Sequence, residues 1–247
     1  MNPLSGVIGE AWALYKRYAS HFILISFAIY LVIAVVSALL TWGLGTFGAL
    51  LGTVLSVFGM FLLQAALVKA VQDVRDGRVD LDLRRTVEAA LPYIGTVAIA
   101  SILAAIGIGI GLALIIVPGL ILLTFWSLIV PEIVIGGAGA IDSFSRSWRT
   151  VRGYGWNVFG TYILVWLILI VAEFVIELIL GAIPGGWSSF IAELVAGSLV
   201  APFIATVVTT IYYRLTTAHG EQPEPGAGPA AGAGYGPGGG PYGGGYA

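Results

Sequence analysis

Apolar residues fill this chain in runs that charge hardly interrupts. Residues 22–40 (FILISFAIYLVIAVVSALL), 47–68 (FGALLGTVLSVFGMFLLQAALV), 158–180 and 190–213 are predominantly apolar, and 94–135 is broken only by Glu132. A hydrocarbon core about 30 Å thick is crossed by a helix of roughly 20 such residues. At about 1.5 Å per residue the 94–135 run measures about two bilayers, so it folds back on itself. Val117-Pro118-Gly119 is the expected reversal, with Pro118 in the first turn of the returning helix; Gly107 to Gly111 is the alternative. Gly181-Ala182-Ile183-Pro184-Gly185-Gly186-Trp187 separates the last two runs. The pattern predicts an all-α, polytopic membrane helical bundle with six transmembrane helices. The first run begins too late and runs too long for a cleaved signal peptide, whose apolar region is roughly 7–15 residues.

A helical period marks three shorter segments, each ahead of a pair of spans. At about 100° per residue, Leu4, Val7, Ile8, Ala11, Tyr15 and Tyr18 form one stripe, with Glu10, Lys16 and Arg17 off it. Leu83, Val87, Ala90, Leu91 and Ile94 form a second, with Arg84, Arg85 and Glu88 off it. Ile141, Phe144, Trp148 and Val151 form a third, opposed by Asp142, Arg146 and Arg149. Helices of this kind lie in the membrane interface. The expected architecture is three units of interfacial helix plus transmembrane hairpin. Their orientation is parallel, unlike the inverted repeats of many secondary transporters.

Charge then orients the bundle. All 11 Lys and Arg residues fall before the first span, between the second and third, between the fourth and fifth, or after the sixth. The opposite turns, near 41–46, 115–118 and 181–189, carry none. Positive residues mark the cytoplasmic side, so both termini are expected there, with the chain in a bacterial inner (cytoplasmic) membrane. The segment RSWRTVRGYGW, residues 146–156, becomes a cytoplasmic elbow. Arg146, Arg149 and Arg152 are placed to meet anionic lipid headgroups, at about 1 kcal/mol each. Trp148 and Trp156 suit the aromatic belt of the interface.

Composition agrees. Hydrophobic residues make up 58% and charged ones 10%, against about 25% charged in soluble domains. A net charge of −2 gives no ground for a nucleic-acid partner, and the lack of cysteine excludes disulfides, thiolate metal sites and a cysteine nucleophile. From Gly220 the chain reads GEQPEPGAGPAAGAGYGPGGGPYGGGYA, without apolar periodicity. Residues 220–247 are therefore expected to be a disordered cytoplasmic tail after a membrane domain at 1–219. Tyr235, Tyr242 and Tyr246 offer that tail weak contacts to a partner.

Three motifs carry a resemblance over roughly residues 5–215. They are Val117-Pro118-Gly119 opening a span, Arg146-Ser147-Trp148-Arg149 followed by Arg152-Gly153, Trp156 and Phe159-Gly160, and Tyr212-Tyr213-Arg214-Leu215 closing the last span. The chain resembles bacterial multi-pass proteins of the glycerophosphoryl diester phosphodiesterase membrane-domain family, including their actinobacterial relatives without the catalytic domain. The resemblance implies fold and membrane location. Catalysis in the phosphodiesterases of that family belongs to a separate soluble barrel, so no catalytic residue carries over.

Acidic groups inside spans are the default functional candidates, because charge in lipid is costly. Glu173 and Glu177 are four apart and share a helix face. With Glu193 they read as carboxylates reaching outer water or as an outward acidic site for a cation. Glu132 follows Pro131 nearer the cytoplasmic side; it either snorkels to the interface or pairs with Lys69. Gln64 suits a hydrogen bond between helices. The glycines at 43, 45, 48, 52, 107, 109 and 111 suit close helix packing, since a phosphate-binding loop needs a preceding strand. His21 and His219 lack metal-ligand spacing, and no cofactor is expected.

These readings favour a non-enzymatic scaffold, regulator or envelope-associated component acting through the lipid bilayer, a protein partner or a second copy. The alternative is a transporter or permease for a small solute or lipid, which a water-accessible cavity bounded by Glu132 or Glu173 would favour. A membrane enzyme of lipid metabolism needs a nucleophile, metal site or acid–base pair that these residues do not assemble.

Overall fold

The computed structural model describes residues 2–180 and 188–220, apart from the side chains at 76 and 180–193. The expected turn at 181–187, the side chain of Glu193 and the expected tail beyond Gly220 lie outside the described residues. Those residues form helices and no strand. In chain order the helices are α1 (Val7–Arg17), α2 (Ala19–Asp73), α3 (Leu83–Ala90), α4 (Ile94–Leu114), α5 (Ile116–Phe125), α6 (Ile129–Val134), α7 (Asp142–Val151), α8 (Gly155–Leu180) and α9 (Ser188–Ala218). Five stretches are long and apolar enough to cross a membrane: Ala19–Asp73, Leu83–Leu114, Ile116–Val134, Gly155–Ile179 and Leu194–Ala218. Their outward faces expose large apolar side chains such as Leu39, Trp42, Leu114, Leu167 and Leu178, on a scale that water-soluble monomers avoid.

The first two apolar runs both lie in α2, which bends at Gly45 (φ 57°, ψ −135°). Only glycine adopts that conformation without strain. Straight, α2 would hold Ile33 and Gly59 about 39 Å apart. Instead a Cβ on Gly59 would lie 2.2 Å from Ile33 Cδ1, and one on Gly48 would lie 1.8 Å from the Leu40 carbonyl oxygen. The two arms of α2 therefore lie side by side, in contact through glycine.

The 94–135 run also reverses, but at Ile115, whose backbone is extended (φ −154°, ψ 137°), rather than at Val117-Pro118-Gly119. Gly119 serves the packing of the returning helix: a Cβ there would fall 2.4 Å from Leu112 Cγ, and one on Gly111 would fall 2.9 Å from Gly119 Cα. Pro118 is the third residue of α5, in the turn where its missing N–H loses no helical bond. The returning stretch then breaks at 126–128, between α5 and α6. Pro131 explains the break, because its ring would meet the Ser127 carbonyl in a continuous helix. Ser147 of α7 repairs it: its Oγ donates to the Phe125 carbonyl at 2.7 Å and accepts from the Leu128 N–H at 3.2 Å.

Proline has a similar effect in α9, where Pro202 lies inside the helix. The Ser198 carbonyl, four residues before it, is left without its helical donor and is taken up by a neighbour. Ser26 Oγ donates to Ser198 O at 2.8 Å, and the Tyr15 hydroxyl donates to Leu199 O at 3.2 Å. An unpaired carbonyl in hydrocarbon costs several kcal/mol, so these two hydroxyls tie α1 and α2 to α9. Burial at this contact raises the Tyr15 pKa above its ordinary value. Helix α9 packs against α1, α2 and α8, and Phe22, Ile25, Leu67, Leu128, Ile211 and Leu215 are among the fully buried side chains.

Candidate functional site

The elbow at 146–156 is divided between inward and outward groups. Helix α7 buries Ser143, Ser147, Thr150 and Val151, a face of small hydroxyls. Its apolar stripe is turned partly aside: Ile141 is exposed, and Trp148 keeps 38% of its surface while stacking on Phe125 at 4.2 Å. Phe144 meets Trp126 edge-on at 4.8 Å. The hydroxyl face wins the inward position because short donors reach the broken backbone of α5 and α6, which bulky apolar side chains would leave unpaired. Arg146 Nη1 donates to the Gly136 carbonyl at 3.0 Å. Arg149 and Arg152 are exposed, and Trp156 stands 86% exposed and meets Phe159 edge-on.

Beneath the elbow lies Glu132, 5% exposed. Thr150 Oγ1 donates to its Oε1 at 2.7 Å. A Cβ on Gly136 would sit 3.0 Å from both Glu132 Oε2 and the Tyr212 hydroxyl, so α6, α7 and α9 converge on this carboxylate. The expected snorkelling to the interface does not occur. Lys69 is engaged elsewhere: its Nζ donates to Gln72 Oε1 at 3.1 Å and lies 4.9 Å from the centre of the Tyr93 ring.

A second polar cluster fastens α1. Arg214, near the end of α9, donates through Nε to Glu10 Oε2 at 2.8 Å, through Nη2 to the same oxygen, and through Nη1 to the carbonyls of Ser5 at 2.6 Å and Pro3 at 3.0 Å. Arg75 adds a longer contact to Glu10 Oε1 at 3.9 Å and lies over the Tyr213 ring at 4.0 Å. These contacts join the start of the described chain to the ends of α2 and α9. On α3 the Asp82 carboxylate caps the first turn, accepting from the Arg85 N–H at 2.8 Å.

Glu173 and Glu177 are both exposed on α8, but only Glu173 lines the cavities beside that helix. One, of about 460 Å³, lies between α8, α9 and the α4–α5 pair, with Trp126, Tyr162 and Trp166 in its wall. The other, of about 420 Å³, lies between α2, α6 and α9, with Tyr30, Gln64 and Pro131 in its wall. Both include Ser127, Glu173, Val200, Ile204 and Val208. Among the described residues no hydrogen bond or ion pair engages the Glu173 carboxylate. The Tyr162 hydroxyl is buried facing Ser127 and reaches no hydrogen-bond geometry with a described residue.

Sequence reasoning found Glu132, Glu173 and Gln64 but gave no structural role to Thr150, Ser147, Ser127 or Tyr212. The signal for the first two was present in Ser143, Ser147 and Thr150, which recur at helical spacing on one face of α7. Among the described residues no group of three or more acidic or histidine side chains is gathered to hold a metal. A family model described as Domain of unknown function (DUF7847) matches residues 11–219. No curated protein matches the chain, and no solved structure does.

Proposed function

We propose that this chain, which belongs to the DUF7847 family, is a non-enzymatic multi-pass protein of the bacterial cytoplasmic membrane, acting as a scaffold or regulator through lipid and protein contacts. Counting the arms of α2 on either side of Gly45 separately gives six spans. They group as α1 with the two arms of α2, α3 with α4 and α5–α6, and α7 with α8 and α9. Lysine and arginine gathered at one set of connections favour a cytoplasmic position for both termini. The resemblance to the glycerophosphoryl diester phosphodiesterase membrane domain supports the same location.

The observation that carries this reading is the split at the elbow. Ser147 and Arg146 lock α7 onto α5 and α6, while Arg149, Arg152 and Trp156 remain exposed. A rigidly seated helix presenting arginine and tryptophan is suited to hold anionic headgroups. Native mass spectrometry of the purified full chain, with phosphatidylglycerol or cardiolipin added, tests it. Retained anionic lipid should fall severalfold in the Arg149→Gln/Arg152→Gln double variant; equal retention would remove the reading. Hydrolysis of glycerophosphodiesters by the purified chain would contradict the non-enzymatic part.

A permease is the second reading, favoured by the cavities that Glu173 borders. Solute flux into vesicles holding the purified chain, lost on filling the cavity with Val200→Trp, would establish it over the first.

A further inference from the structure

We infer that the adjoining cavities at Glu173 form a binding site for a long-chain amphiphile with a cationic head, held with its ammonium at the Glu173 carboxylate and its hydrocarbon along α9. This inference goes beyond the scaffold and permease readings and holds under either one.

The wall is apolar along its length and polar at few points. From Ala196 to Val208 the lining follows α9 for about 18 Å, with Val200, Ala201, Ile204 and Ala205 between. That surface suits a hydrocarbon chain and offers a polar solute little to bond. Glu173 lies about 10 Å before the Leu180 end of α8, on the face that closes both cavities. Its carboxylate meets no donor among the described residues. A carboxylate at the edge of an apolar cavity is stabilised by a cation placed there. An anionic head at the same point would be repelled, and a neutral one would gain no charge pairing. Charge complementarity thus selects the ammonium amphiphile from the lipid-like molecules that fit the apolar wall.

Two further groups point into the same space. Gln64 on α2 is exposed to the second cavity, and the buried Tyr162 hydroxyl lines the first without a bond of its own. Glu177, one turn further along α8, lines neither cavity and is the internal control.

The test uses the full chain in non-ionic detergent. The probes are three molecules of one chain length brominated at mid-chain: a primary amine, an alcohol and a carboxylate. Bromine quenches nearby tryptophan, and Trp126 and Trp166 stand in the wall. The signal is the quenching lost in a Trp166→Phe variant. The amine is expected to bind about tenfold more tightly than the alcohol, the ratio for one modest charge interaction, with the carboxylate weakest. Glu173→Gln should abolish the preference for the amine and leave alcohol binding unchanged, while Glu177→Gln keeps the preference. Equal quenching by all three probes would show an ordinary acyl-chain groove and overturn the inference. A preference for the amine that survives Glu173→Gln would overturn it equally.

Discussion

Glu132 and Glu173 look alike in the sequence. Each is a carboxylate within an apolar run long enough to span a bilayer. In the structure they lie in opposite settings. Glu132 is 5% exposed, receives a hydrogen bond from Thr150 and stands where α6, α7 and α9 converge. Glu173 is exposed at the rim of two cavities, without a donor among the described residues. The difference comes from their neighbours. Pro131 breaks the helix beside Glu132 and brings in a hydroxyl-bearing helix, on which Ser147 repairs the break and Thr150 serves the carboxylate. Glu173 sits within the helix α8, and among the described residues no polar partner reaches it. One acidic group is therefore part of the packing, and the other is left to the surroundings.

The contrast breaks first on stability. Glu132→Ala removes the acceptor of the buried Thr150 hydroxyl and opens a void, so it should lower unfolding free energy in detergent by about 3 kcal/mol. Glu173→Ala in the same denaturation series should stay close to the parent. Coincident curves for the two variants would end the distinction.

Gly136→Ala sharpens the contrast from the backbone side. The new Cβ would lie 2.8 Å from the Glu132 carbonyl oxygen and 3.0 Å from both Glu132 Oε2 and the Tyr212 hydroxyl. Overpacking of this kind costs about 2 kcal/mol. Gly160, on α8, has open space at its Cβ position; Gly160→Ala should leave the unfolding midpoint in place or raise it slightly. A smaller loss is expected from Thr150→Val, which keeps the shape and deletes the donor to Glu132. About 1.5 kcal/mol, the lower end for a hydrogen bond to a charged group, is expected, and the same denaturation series reads it.

Much of this arrangement was legible in the residues. The spans, the reversal within 94–135 and the packing role of the glycines at 48, 52 and 111 follow from apolar length and from the missing Cβ. The inward side of α1 also follows, since Val7, Ala11 and Tyr15 are buried as their spacing predicts. The inward face of α7 did not follow. Serine and threonine score as polar, and a pattern based on hydrophobicity turns them to water. Here they face a backbone broken by Pro131, and the demand for donors outweighs the burial of Ile141. The reversal was misplaced by a few residues because Gly119 is read as a turn former, whereas here it serves a close contact; Pro118 stands in the first turn of the returning helix, as expected. The cavities were invisible for another reason: Tyr30, Gln64, Ser127, Glu173 and Val200 come from three helices and the break between α5 and α6, and only their packing brings them to one space.

The smallest expected effect is the most discriminating. Glu173→Gln replaces a carboxylate by an amide of the same shape, at an exposed position with no described partner, so unfolding free energy should move by less than about 0.5 kcal/mol. Glu177→Gln should match it. A loss above 1.5 kcal/mol for Glu173→Gln alone, the scale of a hydrogen bond to a charged group, would mean that the carboxylate is already engaged within the folded chain. It would then belong with Glu132 as a packing residue, and the space beside it would have no free anion to offer. If both variants stay near the parent while only Glu173→Gln changes amine binding, stability and ligand recognition are separated at a single side chain. That separation is what the difference between the two acids demands: a group built into the fold shows itself in unfolding, and a group left open shows itself only when something binds.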